Sequence, residues 1–559
     1  MNTENSMSDH NIIEFSINTQ ETYTNEEYRN IRKTRWTEYL EHLGWQLGKK
    51  QIEEVEEVDE LEEHIRKSIK KAYYSSCSTT VKKTKFKVKW WTQELENKKR
   101  EAGRLKNEYR RRPSEETRIE RNRARKEYKD EIRKTREKDW RKFCDELEEA
   151  SAIARIQRLM KDGRVQQIGT LQRRDGTYTD TPAETLQELM DVLFPEIERN
   201  EEVANVENYG NRNRRLTEIE IDKIINETTV KAAIEEMAPY KAAGTDGIRP
   251  IHLKKGLGLL LPFITKLYKK SLETGRPPKQ WLEINAVFIP KPGKPDYKTA
   301  KSFRPISLSS YLLKGMEKTI HWHLKDTTLI TEPINEEVYS YKEGVSTENA
   351  LHKVTYQIEK ALSKNRYALA VFLDISGAFS NAKISEMIKD LEDRGVEKQV
   401  VKWIGSILSE RNITTTLAGA AISKKATRGT PEGAKLSPPI WNMKGSKAVD
   451  KFPKEERVDC TGFADDFNLL TIGSNPRLLM IDMQWGLIKL EQWAKENSLE
   501  FNASKTKAIM FTRKHNFEPV PLYLNGERIE YVESFKYLGV IFDRKLTWKI
   551  HIKTQIKKS

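Results

Sequence analysis

From Tyr367 to Ile375 the chain reads YALAVFLDI, apolar at every position but Asp374, and Gly377 closes the run. A strand with one wet face would alternate, so an unbroken run predicts a strand buried on both faces, with an acid at its mouth. Further on, Val458, Cys460 and Phe463 lead into Ala464-Asp465-Asp466, and Phe467, Leu469, Leu470 and Ile472 lead out of it. Two short strand-like runs around a pair of acids predict a hairpin with carboxylates at its tip.

Elsewhere the periods are helical. Residues 218–290 predict several helices, Leu253 to Lys270 the longest of them, stopping near Gly275-Arg276-Pro277-Pro278, and Trp281 to Pro290 follows as a strand. Ala382 to Arg394 predicts a helix closed by Gly395, and Leu487 to Asn497 another. Arg174-Asp175-Gly176-Thr177 is a hairpin signal, after which Thr181, Pro182 and Glu184 supply an N-cap, an N1 proline and an N3 acid for a helix to Leu193. Gln51 to Glu63 is acidic, with Ile52, Val55, Val58 and Leu61 near helical spacing, and predicts a solvated helix face. Leu95 to Leu147 is strongly basic and broken by Pro113, its apolar stripe too thin for a coiled-coil seam. Arg199 to Arg215, rich in Asn and charge, is expected to be a linker.

Length and charge sharpen this picture. The 559 residues suffice for two to four domains, and 37% hydrophobic content gives at least one real core. Charged residues reach 33%, which adds long solvated helices. The net charge of +15 is placed unevenly: Lys82 to Lys142 holds 25 Lys and Arg against 12 Asp and Glu. Such a segment is either a solvated helix or an arm along a nucleic-acid backbone, or both. Cys77, Cys144 and Cys460 lack CxxC spacing, so neither a disulfide framework nor a zinc site is implied, and an intracellular setting is expected. The greasiest stretch, Leu257 to Ile264, is too short to span a bilayer.

If the Asp374 strand and the Asp465–Asp466 hairpin are neighbours in one sheet, three carboxylates converge. Convergent carboxylates with no arginine beside them call for a divalent cation, and hard oxygens suit Mg2+. Two such ions about 3.5–4 Å apart serve the chemistry of polymerases and nucleases.

Three stretches carry a family resemblance. Phe463-Ala464-Asp465-Asp466, Phe372 to Phe379 (FLDISGAF) and Arg428 to Pro438 (RGTPEGAKLSP) resemble central motifs of reverse transcriptases. Lys291-Pro292-Gly293-Lys294, Ser302 to Leu308 (SFRPISL) and Lys241 to Ile248 (KAAGTDGI) resemble upstream motifs of the non-LTR retrotransposon branch, the LINE-type, jockey-like elements. In family order these boxes cover roughly residues 235–550. The resemblance implies an α+β right-hand polymerase fold with fingers, palm and the start of a thumb, preceded by a mostly helical basic linker. It divides the chain into an endonuclease remnant (1–20), a helical charged linker (21–215), fingers (216–365), palm (366–512) and primer grip with truncated thumb (513–559), the reverse transcriptase domain overall being about 271–545. Asp9-His10 resembles the last motif of the apurinic-type endonuclease that precedes reverse transcriptase in such elements, here a stump without nuclease activity and an argument against a group II intron maturase.

The implied function is RNA-directed DNA polymerisation, a dNTP being added to a primer 3′-OH. The implied metal ligands are Asp374, the Ile375 carbonyl, Asp465 and Asp466, for two Mg2+ with Mn2+ an alternative. Lys505 is the implied proton donor to pyrophosphate. Lys291, Lys294, Arg304, Phe379 (the steric gate against a 2′-hydroxyl), Glu432 and Gly433 are the implied nucleotide contacts. Lys342, Ser346 and Thr347 on the template side and Tyr537, Leu538 and Gly539 at the primer grip are the implied nucleic-acid contacts. Partners would be an RNA template, a DNA primer and dNTPs, in cytoplasm and nucleus, with no membrane. Glu432 in place of the family's Gln, Ser380 in place of Asp and the polar run Met443 to Val449 depart from the pattern. With truncation at both ends they suggest a decayed copy, and an alternative role as a nucleic-acid-binding protein without catalysis.

Overall fold

The computed structural model describes residues 27–50, 52, 57–81, 90–145, 168–196, 206–292, 294, 296–375, 377–514 and 519–557. The expected endonuclease remnant, residues 1–20, lies outside them. The chain divides into two compact units, one of Met1–Lys33 with Cys77–Gln167 and the other of Thr34–Ser76 with Ile168–Ser559.

The first unit pairs the short strands Glu27–Arg29 and Thr79–Val81 and carries the helices Gln93–Arg111 and Glu115–Asp145. Thr92 caps the first of these, its Oγ1 accepting from the Leu95 amide at 3.2 Å. Pro113 falls in the turn between them, where it interrupts no helical hydrogen bond. Few apolar residues meet across this hairpin. Charge and aromatic contacts supplement them: Lys98 lies 3.0 Å from Glu131, and the Arg121 guanidinium sits 4.3 Å from the Tyr109 ring.

The second unit runs, in its main elements, α1 (Trp36–Leu47), α2 (Val58–Ser76), α3 (Pro182–Leu193), α4 (Pro250–Thr274), β1 (Glu283–Pro290), β2 (Phe303–Leu308), α5 (Tyr311–Asp326) and α6 (Thr347–Ser363). It continues through β3 (Tyr367–Asp374), α7 (Ile384–Asp393), α8 (Lys398–Ser409), β4 (Asn412–Leu417), β5 (Ala420–Lys425), α9 (Ser437–Val449), β6 (Val458–Phe463) and β7 (Asp466–Gly473). Last come α10 (Pro476–Glu496), β8 (Lys507–Phe511), β9 (Glu530–Tyr531), β10 (Ser534–Tyr537), β11 (Val540–Asp543) and α11 (Lys549–Ile556).

Five strands form one sheet in the order β9-β8-β3-β7-β6, antiparallel except for β8 with β9. β3 is central, and its residues divide by the two-residue period of a strand. Ala368, Ala370 and Phe372 join the core under α6 and the β10–β11 hairpin, where the Phe372 ring lies 4.9–5.1 Å from Tyr537 and Phe535. Leu369, Val371 and Leu373 enter the larger core on the other face, shared with α9 and α10. That two-sided burial is why the run showed no alternation.

A second sheet, ordered β2-β1-β4-β5, is roofed by α3, whose Leu186, Leu189 and Met190 pack with Ala286, Phe288, Phe303 and Ile413. The linker expected over residues 21–215 is therefore, in these parts, structural. α1 and α2 bury Tyr39, Leu43, Leu61 and Ile65 in the main core, and a Cβ at Gly256 of α4 would collide with Leu43. The stretch expected as a linker from Arg199 is likewise knit in over its described residues: Asn213 Nδ2 donates to the carbonyls of Glu392 (3.0 Å) and Val396 (2.7 Å), and Arg214 pairs with Glu397 at 2.8 Å. Its polar side chains serve neighbouring backbone instead of water. The helix expected from Leu487 begins earlier, at Pro476, capped by Asn475.

The polar run Met443 to Val449 lies in α9, where Lys444 is 1% exposed. Its Nζ lies 2.8 Å from Asp390 Oδ2 of α7 and donates to Asn497, while Lys447 reaches the other Asp390 oxygen at 2.7 Å. The polarity is compensated, residue by residue, from the facing helices. Asp390→Ala would strand the buried ammonium and is expected to cost about 3–5 kcal/mol in urea unfolding, with the apolar pair Asp390→Leu/Lys444→Met recovering most of it. A loss in the single variant below about 1 kcal/mol would show that Lys444 reaches water instead.

Candidate active site

The ladder between β3 and β7 places Asp374 directly opposite Asp466. Asp465 follows at the β6–β7 turn, its carbonyl accepting from the Ile375 amide at 3.2 Å. Beyond it, Asn502 N donates to the Asp374 carbonyl at 2.8 Å, and Ile375 bridges Phe501, so the backbone around Asp374 is held from two sides. Ala464 takes a left-handed φ of +55°, uncommon for a residue with a Cβ, and Trp441 Nε1 holds its carbonyl at 2.8 Å. The three acids separated in sequence therefore meet at one end of the sheet.

Their charges interact. Burial, and then the Asp465 and Asp374 carboxylates, push the Asp466 carboxyl up to about 7, and Asp465 is raised chiefly by burial. The neutralising cation is a lysine: Lys505 Nζ lies 2.6 Å from Asp374 Oδ2. Among the described residues no three His, Cys, Asp or Glu side chains are gathered into a ready-made metal cage. The donor set nonetheless fits a divalent cation, being three hard carboxylates at one sheet end whose mutual repulsion one lysine only partly relieves.

Two clefts meet at this point. The first, of about 560 Å3, is lined by Asp374, Asp465 and Lys505 together with Lys291, Arg304 and Glu432, and is large enough for a nucleotide-sized ligand. Phe379 lines it too, its ring 5.4 Å from Trp441 and 6.4 Å from Tyr341. The second, of about 380 Å3, is lined by Asp374, Asp466, Lys505, Tyr537 and Leu538. Asp374 and Lys505 stand on the divide and face both.

The loop carrying Glu432 and Gly433 is positioned by backbone. Gly429 N donates to Ala382 O (2.8 Å), Thr430 N to Phe379 O (2.7 Å), and Ser307 N to Glu432 O (2.9 Å). Gly433 has φ +110°, and a Cβ there would press on the Ser307 carbonyl at 3.2 Å. The Glu432 carboxylate lies 3.7 Å from Arg304 Nε. Burial raises its pKa while Arg304 and Lys291 oppose the rise. Lys291 is lowered by burial and by Arg304, Lys294 and Lys505 around it, so this cleft gathers cations.

Other expected contacts fall elsewhere. Lys294 is exposed and lines neither cleft. Lys342 Nζ donates to Asn335 O at 3.2 Å, and Ser346 caps α6, with Thr347 its first residue. Tyr537 is 2% exposed, its ring in the core beneath the second cleft, so Leu538 (φ +44°) and Gly539 (φ +90°) form the turn that reaches the surface.

Within the second unit, the profile of the family described as "Reverse transcriptase (RNA-dependent DNA polymerase)" matches residues 289–542. The chain carries a reverse transcriptase domain. Its relatives include the "RNA-directed DNA polymerase from mobile element jockey" of Drosophila melanogaster, 28% identical over 58% of this chain and 36% of that protein. The "Probable RNA-directed DNA polymerase from transposon BS" of the same species is 26% identical over 60% and 38%. The "Retrovirus-related Pol polyprotein from type-1 retrotransposable element R1" of Bradysia coprophila is 24% identical over 83% and 46%. The domain is thus of the non-LTR retrotransposon type, and the chain spans less than half the length of these relatives. Among the described residues no helix is long and apolar enough to cross a membrane.

Two supports of the reverse transcriptase site gave no signal in the sequence. Arg411 is fully buried, and its Nη2 donates to the Arg428 and Gly429 carbonyls at 2.8 Å each, anchoring the Glu432 loop at its root. Glu317 on α5, 2% exposed, accepts from the Lys435 amide at 2.9 Å at the loop's other end. Burial pushes the Glu317 carboxyl up to about 7. Because the folded state binds this proton more tightly than the unfolded chain, its contribution is complete below about pH 4.5 and lost as pH rises through about 7. The stability of the native protein relative to Glu317→Gln should therefore fall by up to about 3 kcal/mol between about pH 5 and about pH 8, measured by urea unfolding at each pH. A difference independent of pH would mean that the carboxyl is ionised throughout.

Proposed function

We propose that this chain is an RNA-directed DNA polymerase that copies an RNA template by extending a DNA primer with dNTPs. The observation that carries this reading is the divide: Asp374 and Lys505 face two clefts at once, one cation-lined and one beside the Leu538–Gly539 turn. A triphosphate suits the first, where Lys291 and Arg304 balance phosphate charge. A primer end suits the second. Phe379, packed between Trp441 and Tyr341, would crowd a 2′-hydroxyl at the cleft floor.

Asp374, Asp465 and Asp466, with the Ile375 carbonyl, would hold divalent ions, Mg2+ by donor hardness with Mn2+ an alternative. When bound, such ions supply charge neutralisation for an in-line displacement at phosphorus. The primer 3′-oxygen attacks the α-phosphorus, and pyrophosphate leaves. Lys505, beside the same carboxylate, is placed to give the departing group a proton. Ser346 and Thr347 at the start of α6, with Lys342 in the loop before it, would form a template-side segment, and Lys294 on the exposed strand-to-strand loop an outer phosphate contact. Work in cytoplasm and nucleus fits such an element.

A second reading, a nucleic-acid-binding protein without catalysis, draws on the Arg304–Glu432 pair, which occupies a cation the triphosphate needs. Primer extension on poly(rA)/oligo(dT) with Mg2+ separates the two. Asp465→Asn should abolish extension, because an amide brings no charge to the cations, and more than about a tenth of the activity surviving would refute the assignment.

Glu432→Gln should release Arg304 and lower the dNTP KM. The pair is partly exposed, so the gain is about 1 kcal/mol, or several-fold. The effect should be larger at about pH 8 than at about pH 6.5, since burial raises the Glu432 pKa and a protonated acid resembles the amide. An unchanged KM at both pH values would place residue 432 out of reach of the nucleotide.

A further inference from the structure

In the first unit, the helix Glu115–Asp145 presents Lys129, Ile132, Arg133, Arg136 and Trp140 at helical spacing along one side. Together with Trp90, from the segment leading into the hairpin, they line an open cleft of about 640 Å3. The Arg136 guanidinium lies 5.8 Å from the Trp90 ring, and Trp90 is backed by Trp91 at 5.7 Å between ring centres. Trp140 is 45% exposed, a large indole kept partly in water on a helix of mean polar character. Glu137 and Asp139 also line the cleft, yet Lys82 to Lys142 retains twice as many cations as anions, 25 to 12.

We propose that this cleft binds single-stranded nucleic acid, an unpaired base stacking on Trp90 and Trp140 while its flanking phosphates lie on Lys129, Arg133 and Arg136. Two aromatic faces among cations are what sequence-tolerant single-strand binding requires: the indoles take any base face, and the cations release counterions from the backbone. A duplex, with its bases stacked and paired, offers those indoles nothing and gains only the phosphate contacts. A membrane surface is disfavoured because the apolar area is two indoles and one isoleucine, set among acids as well as cations. The inference stands apart from the polymerase reading, since none of these residues belongs to the catalytic unit.

The test uses the whole chain and oligonucleotides of about 12 nucleotides, within the span of known single-strand sites, as single-stranded RNA, single-stranded DNA and blunt duplex. Trp140→Ala should weaken single-strand binding about ten-fold with duplex binding unchanged, and Trp140→Tyr should restore it, which separates stacking from folding. Arg133→Glu/Arg136→Glu should weaken all three ligands and flatten the slope of log K against log salt by about one to two. Comparing the RNA and DNA arms tells which strand the site prefers. Photo-crosslinking of a 4-thiouridine oligonucleotide should map to peptides containing Trp90 or Trp140. Unchanged single-strand affinity in Trp140→Ala, equal loss on duplex, or crosslinks confined to the second unit would overturn the proposal. Extension of a saturating pre-annealed primer reports separately on the catalytic unit.

Discussion

Everything in the second unit's candidate site depends on the ladder that pairs β3 with β7 in one register. Because side chains alternate along a strand, a slip of one residue would send Phe372 to the wrong core and Asp374 away from Asp466. Both faces of β3 are packed, by α6 and the β10–β11 hairpin on one side and by α9 and α10 on the other, so each residue from 368 to 373 votes for the same register. Core burial thereby sets where the acids stand, since a slip of one residue would exchange the side chains of the two cores.

That placement creates an electrostatic problem, and the surrounding structure is arranged to contain it. Burial, and then the neighbouring carboxylates, raise the pKa of Asp465 and Asp466, and Lys505 closes on Asp374 as a counter-ion. On the far side of the first cleft burial, and then Arg304, Lys294 and Lys505, depress Lys291, while Glu432 opposes that shift and also pairs with Arg304. The cleft thus presents an anionic rim facing a cationic one. The Glu432 loop that bridges the rims is held by main-chain bonds and by two buried charged side chains, Arg411 and Glu317.

The departures from the reverse transcriptase pattern are not equivalent. Lys444 and Lys447 have partners in Asp390, Asp393 and Asn497, so the polarity of α9 is matched by its neighbours. Glu432 is matched by Arg304 and, more weakly, by Lys291, cations of the first cleft. Ser380 lines the same cleft, and nothing in the structure explains that substitution. The first is a change within the core and the others line the first cleft.

Local elements, and the three acids at strand ends, were legible in the sequence alone. The unbroken apolar run announced a strand buried on both faces, the paired acids between two apolar runs announced a hairpin tip, and Thr181 with Pro182 announced a helix start, because each depends on periodicity or capping within a few residues. The sequence missed that α1, α2, α3 and the segment to Arg215 pack into the second unit instead of forming a linker, because the surface a segment meets cannot be read from its own residues. It passed over Arg411 and Glu317 for the same reason: a charged residue declares nothing about burial, and only the assembled loop supplies the carbonyls and amide that make burial tolerable. Whether Tyr537 touches nucleic acid or the core, and whether Lys505 is free or closed on Asp374, are questions of distance between segments far apart in the chain. Such distances are set by tertiary packing, which decided the shape of both clefts around residues the sequence had already named.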